Sequence, residues 1–418
     1  MIILAYEDKQ ISMKHLNIKI SLFINYFVFA ALLNSVGLLI QKSQNSYGVS
    51  EVKASFLEPA KDLTIALVAF LVGSFLPKIG FKRGMLIGYA LVFMGCLQMY
   101  FGNSYHNVLV LFACTGFSFA IIKVSVLTML GVIADTESKH KTFMGYIESV
   151  FMLGIVFAYI VFPMFYNETN PDAWLNVYLI LAGLIGLVFI FFFFSNFDFP
   201  PVEKTSLKTD MHNMFRILIK PVIILFAVFA FMYVMTEQGI MSWLPTFNQN
   251  VLHLNEKLAA QMAVILMLSI AFGRFISGFI VKKIHWHIYL TLCLLMAAAI
   301  VLVVLPKAET IKITEINSIA NVPFIGFVFP LIGLFLAPIY PIINSTILSA
   351  TKKEEHSAVA GILTFFSALG GTCGSLILGY LFQELKSGKA FYFSLIPLSI
   401  LIVVIYFIRK QTDRKTKN

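Results

Sequence analysis

The chain breaks into twelve runs of mostly apolar residues, each about twenty residues or longer, the length needed to cross the hydrocarbon of a bilayer as a helix. They cover 17–41, 56–77, 83–102, 106–134, 140–166, 172–196, 219–247, 257–281, 286–305, 322–350, 355–383 and 388–409. A soluble fold cannot hide that much apolar surface: 59% of the residues are apolar and 12% charged, about half the charged share of soluble domains. In lipid every main-chain polar group must be satisfied within the protein, so the expected fold class is all-α, an integral membrane protein of twelve transmembrane helices. The first run is long enough to span and follows a polar-interrupted start, which argues against a cleaved signal peptide; Met13 is an alternative start to Met1.

The formal charge of +10 does not point to nucleic acid, because Lys and Arg are spread thinly at the ends of the apolar runs. When each base at a run end is assigned to its adjoining loop, 21 of the 31 fall on one side of the membrane, seven on the other and three (Lys61, Lys123, Arg274) inside runs. The positive-inside rule then sets both termini in the cytoplasm, with the cytoplasmic (inner) membrane as the expected location. The longest central polar break, Asn196–Lys220, contains Pro200-Pro201 and divides the runs six and six. The expected organisation is a six-helix bundle over 1–196, a cytoplasmic linker over 197–218 and a second six-helix bundle over 219–418. The halves echo each other: Gly73 and Gly278 open similar basic loops, and Ser50-Glu51 matches Asn255-Glu256 at the same offset of 205 residues, each pair reading as a helix N-cap with an acid in the first turn. A duplicated unit of this kind places a solute site at the repeat interface near mid-membrane.

After the second run, Gly73, Pro77, Lys78, Gly80, Lys82 and Arg83 stand at the spacing of Gly-x-x-x-Pro-Lys-x-Gly-x-Lys-Arg. This resembles the loop signature of major facilitator transporters, a resemblance that covers nearly the whole chain through its twelve runs. Pro77 occupies the position where that family usually has an acid, so the acid's charge-relay role does not carry over. A narrower resemblance lies in run seven, Tyr233-Val-Met-Thr-Glu237-Gln-Gly239-Ile-Met-Ser242-Trp243-Leu-Pro245, and in Pro338-Ile-Tyr340-Pro341-Ile-Ile-Asn344 of run ten. Both look like segments of fucose permease-type sugar:proton symporters and the related TsgA-type permeases. Those symporters carry proton-site acids in spans one and four. Here the places hold Asn34-Ser35 and Ile121-Ile122-Lys123, and the acids cannot be carried over.

A charge inside hydrocarbon costs several kcal/mol unless it faces protein or water and finds a partner, so the intramembrane charges are the strongest functional signals. Lys123 reads either as a cavity-facing cation for an anionic solute or as half of a structural ion pair. Glu148 in run five is its favoured partner, because runs four and five are joined by a short loop. Glu58, Lys61 and Asp62 share one helical face around Pro59; they either line the outer part of the pathway or pair among themselves near the interface. Glu237 sits beside Gly239 and Pro245, residues that let a helix bend. Arg274, close to the end of run eight, reads as structural. Glu148, Asp62 and Glu237 are the proton-site candidates.

Substrate contacts are expected from Lys123, Asn34, Glu237, Tyr340, Asn344 and Trp243, with Gln41 as a further amide. Trp174 and Trp286 read as belt anchors at span ends. Gly370, Gly371, Gly374 and Gly379 form a small-residue stripe suited to close helix packing. Cys96, Cys114, Cys293 and Cys373 lack metal-ligand spacing, no phosphate-binding loop or nucleophile–base pair is present, and neither a metal nor a cofactor is expected. The expected function is therefore not enzymatic. It is secondary active, proton-coupled uptake of a small-molecule solute, a sugar or sugar acid, by alternating access, in a monomer whose partners are the solute, protons and the bilayer, with no nucleic acid. The alternative is a drug or metabolite efflux permease.

Overall fold

A computed structural model describes residues 20–133, 137–195, 216–311, 314–351 and 355–417; within these ranges the side chains at 70, 72–75, 77, 127–145, 348–350, 356–357 and 412–417 are not described. Met13 and most of the expected linker lie outside the described residues. Among the described residues the chain is helical, and its only β pairing is an isolated bridge between Leu254 and Ile316. Among the described residues ten helices are long and apolar enough to cross a membrane, eleven when one bent pair is taken as a single span.

That bent pair is the first expected span: α1 (Ile20–Asn34) and α2 (Val36–Tyr47) meet at 48°. The cause is local. Ser35 aims both its N–H and its hydroxyl at the Leu32 carbonyl, and the Asn34 amide donates to Ala30. Side chains that bond nearby carbonyls compete with the helical ladder and bend it. The second expected span corresponds to α3 (Leu57–Ile79), 23 residues long and carrying Glu58, Lys61, Asp62 and Lys78. There follow α4 (Phe81–Gly102), α5 (Tyr105–Ile133), α6 (Glu137–Val161), α7 (Asn176–Phe194), α8 (Pro221–Asn250), α9 (Val264–Ile280) and α10 (Trp286–Ala308). The tenth expected span is interrupted: α11 (Ile332–Leu336) gives way to α12 (Ile339–Ala350) across Ala337-Pro338. Pro338 and Pro341 have no N–H to donate, so the ladder fails there. Next come α13 (His356–Leu385) and α14 (Leu395–Lys417). The Ser50 and Asn255 caps expected from the repeat are present, accepting from the N–H groups of Lys53 and Leu258.

The helices form two compact units, Met1–Ser35 with Leu67–Leu207 and Val36–Ala66 with Lys208–Asn418. Residues 36–66 pack with helices of the second half of the sequence. The pairings responsible are specific. Gln41 donates to Gln249 at 2.8 Å and to the Glu256 carbonyl at 3.2 Å, and Lys42 pairs with Glu256 at 3.0 Å. Pro245 cannot donate to the Met241 carbonyl one turn back. Gly37 of α2 fits against that oxygen, where a Cβ would come to 2.6 Å.

In the first unit, an aromatic cluster of Phe29, Phe119 and Phe151 joins α1, α5 and α6. Gly80, at φ +93°, makes the left-handed turn between α3 and α4. Lys82 then donates to the carbonyls of Phe193 (2.9 Å) and Ser195 (2.6 Å) at the end of α7, a cation where the helix dipole is negative and carbonyls lack partners. Lys78 and Arg83 are exposed. Gly73 lies among positions whose surroundings are not described.

In the second unit the small-residue stripe is used as expected. Gly370 and Gly374 of α13 lie directly on the Phe231 and Met235 carbonyls of α8, and a Cβ at either glycine would run into those oxygens. Since α8 is a backbone obstacle rather than a flexible side chain, Gly374→Ala should destabilise the protein by about 1–3 kcal/mol. A lowered midpoint in a thermal-unfolding assay of the detergent-solubilised protein checks this.

Candidate functional site

Three of the deeply buried charges among the described residues form one cluster in the second unit. Two residues of α3, Glu58 and Lys61, lie one helical turn apart, and Asp62 follows on the same face. All three are almost fully buried: Glu58 is 0% exposed, Lys61 4% and Asp62 5%. The Lys61 ammonium lies 2.5 Å from Glu58 Oε1 and 3.4 Å from Asp62 Oδ1. Glu58 Oε2 accepts from the Ser242 hydroxyl of α8 at 2.8 Å. Asp62 Oδ2 is buried and has no hydrogen-bond partner. It faces Gly371 of α13, where a Cβ would come to 2.5 Å from that oxygen and 3.4 Å from Cγ of Gln238. The third glycine of the stripe therefore leaves room for the carboxylate.

Two carboxylates share one ammonium in this cluster, and the second oxygen of Asp62 is the unsatisfied acceptor. A buried charge without full compensation is strongly unfavourable. The arrangement can take up one proton at Asp62 and become neutral as a whole. Around the cluster, the Ser375 hydroxyl donates to the Ser55 carbonyl and the Trp243 indole donates to the Ser375 carbonyl at 3.1 Å.

Trp243 was expected to contact solute. It is 0% exposed, stacks on Phe382 at 5.3 Å and has its N–H satisfied, so its place is in the packing of the unit. Gln41 is likewise committed to Gln249 and Glu256.

A second polar group lies along α8. Glu237 Oε1 is 2.7 Å from the Tyr233 hydroxyl, which is also 3.0 Å from the Leu336 carbonyl at the end of α11. Tyr233 stacks on Tyr340 of α12 (centroids 5.7 Å apart, 20° between planes), and the Tyr340 hydroxyl lies 3.2 Å from that of Ser367. The charge of Arg274 on α9 reaches Glu237. Asn344, one turn beyond Tyr340, has a buried side-chain oxygen without a partner. Glu237 and Tyr340, expected from the sequence, are thus joined by Tyr233, which is not among the expected site residues. A Tyr four residues before an intramembrane Glu is the signal that could have found it.

In the first unit, Lys123 projects from α5 with an accessible side chain, its ammonium 5.8 Å from the centre of the Phe119 ring. Glu148 on α6 is accessible as well, and its charge reaches both Lys123 and Tyr26. Among the described contacts there is no ion pair between Lys123 and Glu148. Their nearness in sequence does not bring these charges into contact. Asn34 is half-buried and spends its amide on Ala30. Asn25 of α1, not among the expected site residues, is fully buried with neither side-chain oxygen nor nitrogen bonded; an amide in mid-span is its only sequence signal.

The cluster around Lys61 makes a clear prediction. Lys61→Met would leave two carboxylates buried without a cation and should cost about 3–5 kcal/mol. Replacing both acids as well (Glu58→Gln, Asp62→Asn) should recover most of that loss. Thermal unfolding of the two purified variants measures both effects.

Comparison with known proteins gives one consistent answer. Residues 20–332 match the Major Facilitator Superfamily. A protein TsgA homolog of Buchnera aphidicola subsp. Schizaphis graminum is 21% identical over 394 residues, covering 92% of this chain and 93% of that protein. A proton-coupled antiporter flippase, LtaA, of Staphylococcus saprophyticus is 22% identical over 357 residues, 84% of each. Among solved structures, the E. coli fucose:proton symporter FucP aligns with a TM-score of 0.62 at 16% identity, covering 94% of this chain and 98% of that one. The nucleoside transporter NupG aligns with a TM-score of 0.73 at 12% identity, covering 94% and 99%. Long apolar helices, paired charges among them and a family match over most of the length converge: the chain belongs to the Major Facilitator Superfamily of multi-pass membrane transporters.

Proposed function

We propose that the protein is a proton-coupled secondary transporter that takes up a small polar solute, a sugar or sugar acid, by alternating access across the cytoplasmic membrane, with both termini in the cytoplasm. The observation that carries the proton coupling is the buried Glu58–Lys61–Asp62 cluster with its unsatisfied Asp62 oxygen. Binding a proton at Asp62 removes the excess negative charge, and a ligand that prefers one conformer shifts the population toward it. The same cluster ties α3 to α8 through Ser242. Neutralising it therefore changes the electrostatics of a contact between elements far apart in sequence. Glu148 and Glu237 are further proton sites in this reading. The likeness of fold to a fucose:proton symporter and the amide and phenol groups of Asn344 and Tyr340 support a polyhydroxylated solute. Lys123, accessible and without an ion-pair partner among the described contacts, supports an acidic group on it.

Export by proton exchange is the second reading, and the flippase relative named as a proton-coupled antiporter favours it. Proteoliposomes with an imposed proton gradient separate the two when screened with neutral sugars and uronates. Inward accumulation driven by external acid supports uptake; extrusion driven by it supports export; no response of any solute to the gradient sinks proton coupling. Asp62→Asn should abolish gradient-driven accumulation while leaving solute exchange within about threefold of the native rate, less than one hydrogen bond's worth. Lys123→Ala should weaken a uronate by roughly tenfold or more, the value of one charge-assisted hydrogen bond, and its neutral analogue much less. Equal losses would remove Lys123 from anion recognition.

A further inference from the structure

Tyr233 is fully buried, and its hydroxyl faces two acceptors, Glu237 Oε1 at 2.7 Å and the Leu336 carbonyl at 3.0 Å. A phenol has one proton to donate. With Glu237 ionised, that proton can serve the carboxylate or the carbonyl but not both. With Glu237 protonated, the carboxylic acid donates to the phenol oxygen, and the phenol donates to Leu336. All three groups are then satisfied in one chain running from α8 to the end of α11.

The Leu336 carbonyl stands at the interruption of the tenth span. The described main-chain bonds that approach this break are Ala337 N–H to Gly333 and Ile342 N–H to Pro338. Pro338 and Pro341 leave the ladder incomplete between them, so a side-chain bond to Leu336 acts where the backbone is least supported by its own helix. The Tyr233 ring also stacks on Tyr340, on the far side of the same break. The groups facing Glu237 are Tyr233 on its own helix and Arg274 on α9, while Tyr340 on α12 faces Tyr233. Asp62 approaches α8 one residue further on, at Gln238. From α13 the nearby contribution is the neutral Ser367, bonded to Tyr340.

We infer that Tyr233 is a positioning residue that converts the protonation of Glu237 into a tie between α8 and the broken tenth span. This rests on the alternating-access reading proposed above but not on Asp62 as the proton site or on the identity of the solute. When Glu237 loses its proton, Tyr233 turns to the carboxylate, Leu336 is released, and the break at Ala337-Pro338 opens more readily.

Hydrogen–deuterium exchange of the purified full chain tests this with the proton as the only ligand. Protection factors, corrected for the intrinsic pH dependence of exchange, are measured for peptides spanning 332–345 in acidic and alkaline buffer. In the native chain, acid should raise protection across the break roughly fivefold, the worth of one hydrogen bond. Tyr233→Phe keeps the stacked ring, removes the hydroxyl and should hold protection at the low level at both pH values. Glu237→Gln, whose amide donates to the phenol as the protonated acid does, should hold it at the high level at both. An undiminished pH response in Tyr233→Phe, or low protection in Glu237→Gln, overturns the proposal. The opposite signs expected of the two variants distinguish a lost tie from general unfolding. If gradient-driven uptake fails while this pattern holds, proton-coupled uptake falls and the tie stands; the reverse outcome removes the tie alone.

Discussion

The approach of α13 to the backbone of α8 is the contact on which the second unit depends. Without a hydrophobic force to press helices together in lipid, close packing has to come from small residues that let main chains touch. Gly370 and Gly374 supply this by lying on the carbonyls of α8, and Gly371 between them leaves the space into which Asp62 extends. The same proximity brings Trp243 to the Ser375 carbonyl and sets Ser242 opposite Glu58. A bulkier residue anywhere along this stripe would move α8, and with it Tyr233, Glu237 and the partner of Glu58. Packing and charge are therefore one problem here.

The intramembrane charges are handled in two ways. On α3, charges of both signs are buried together and nearly cancel, leaving one oxygen of Asp62 unsatisfied. On α5 and α6, Lys123 and Glu148 stay accessible and influence each other without contact. The first arrangement suits a proton, which needs only a lone pair in a dry place. The second suits a solute large enough to bring its own polar groups. A seventh-span carboxylate hydrogen-bonded to a phenol stands between these extremes.

Much of the fold was legible because hydropathy is a local property: the apolar runs mark where helices lie, although runs one and ten are each broken into two, and Ser50 and Asn255 announce helix starts within four residues. The face shared by Glu58, Lys61 and Asp62 was legible for the same reason, since helical spacing is short-range. The placement of residues 36–66 was not. It rests on pairs such as Gln41 with Gln249 and Ser55 with Ser375, more than two hundred residues apart, and periodicity carries no information over that distance. Trp243 misled because indole at a span end has the same composition whether it meets a solute, a headgroup or a neighbouring helix. The Lys123–Glu148 pair misled because a short loop fixes which helices are neighbours but not how each is rotated about its axis.

Lys82 shows a residue serving two stages in the life of the protein. In the proposed orientation it is one of the bases that hold the loop between α3 and α4 on the cytoplasmic side during insertion, when only the sign of its charge matters. Once α7 has been made, more than a hundred residues later in the chain, the same ammonium closes off the last carbonyls of that helix. Topogenesis asks for any cation at this position, whereas the finished fold asks for one of this reach. A short cation would therefore serve biogenesis but not the mature fold. A substitution that inserts normally can still leave α7 frayed at its end, a defect that would be seen in the folded protein and not in its membrane topology.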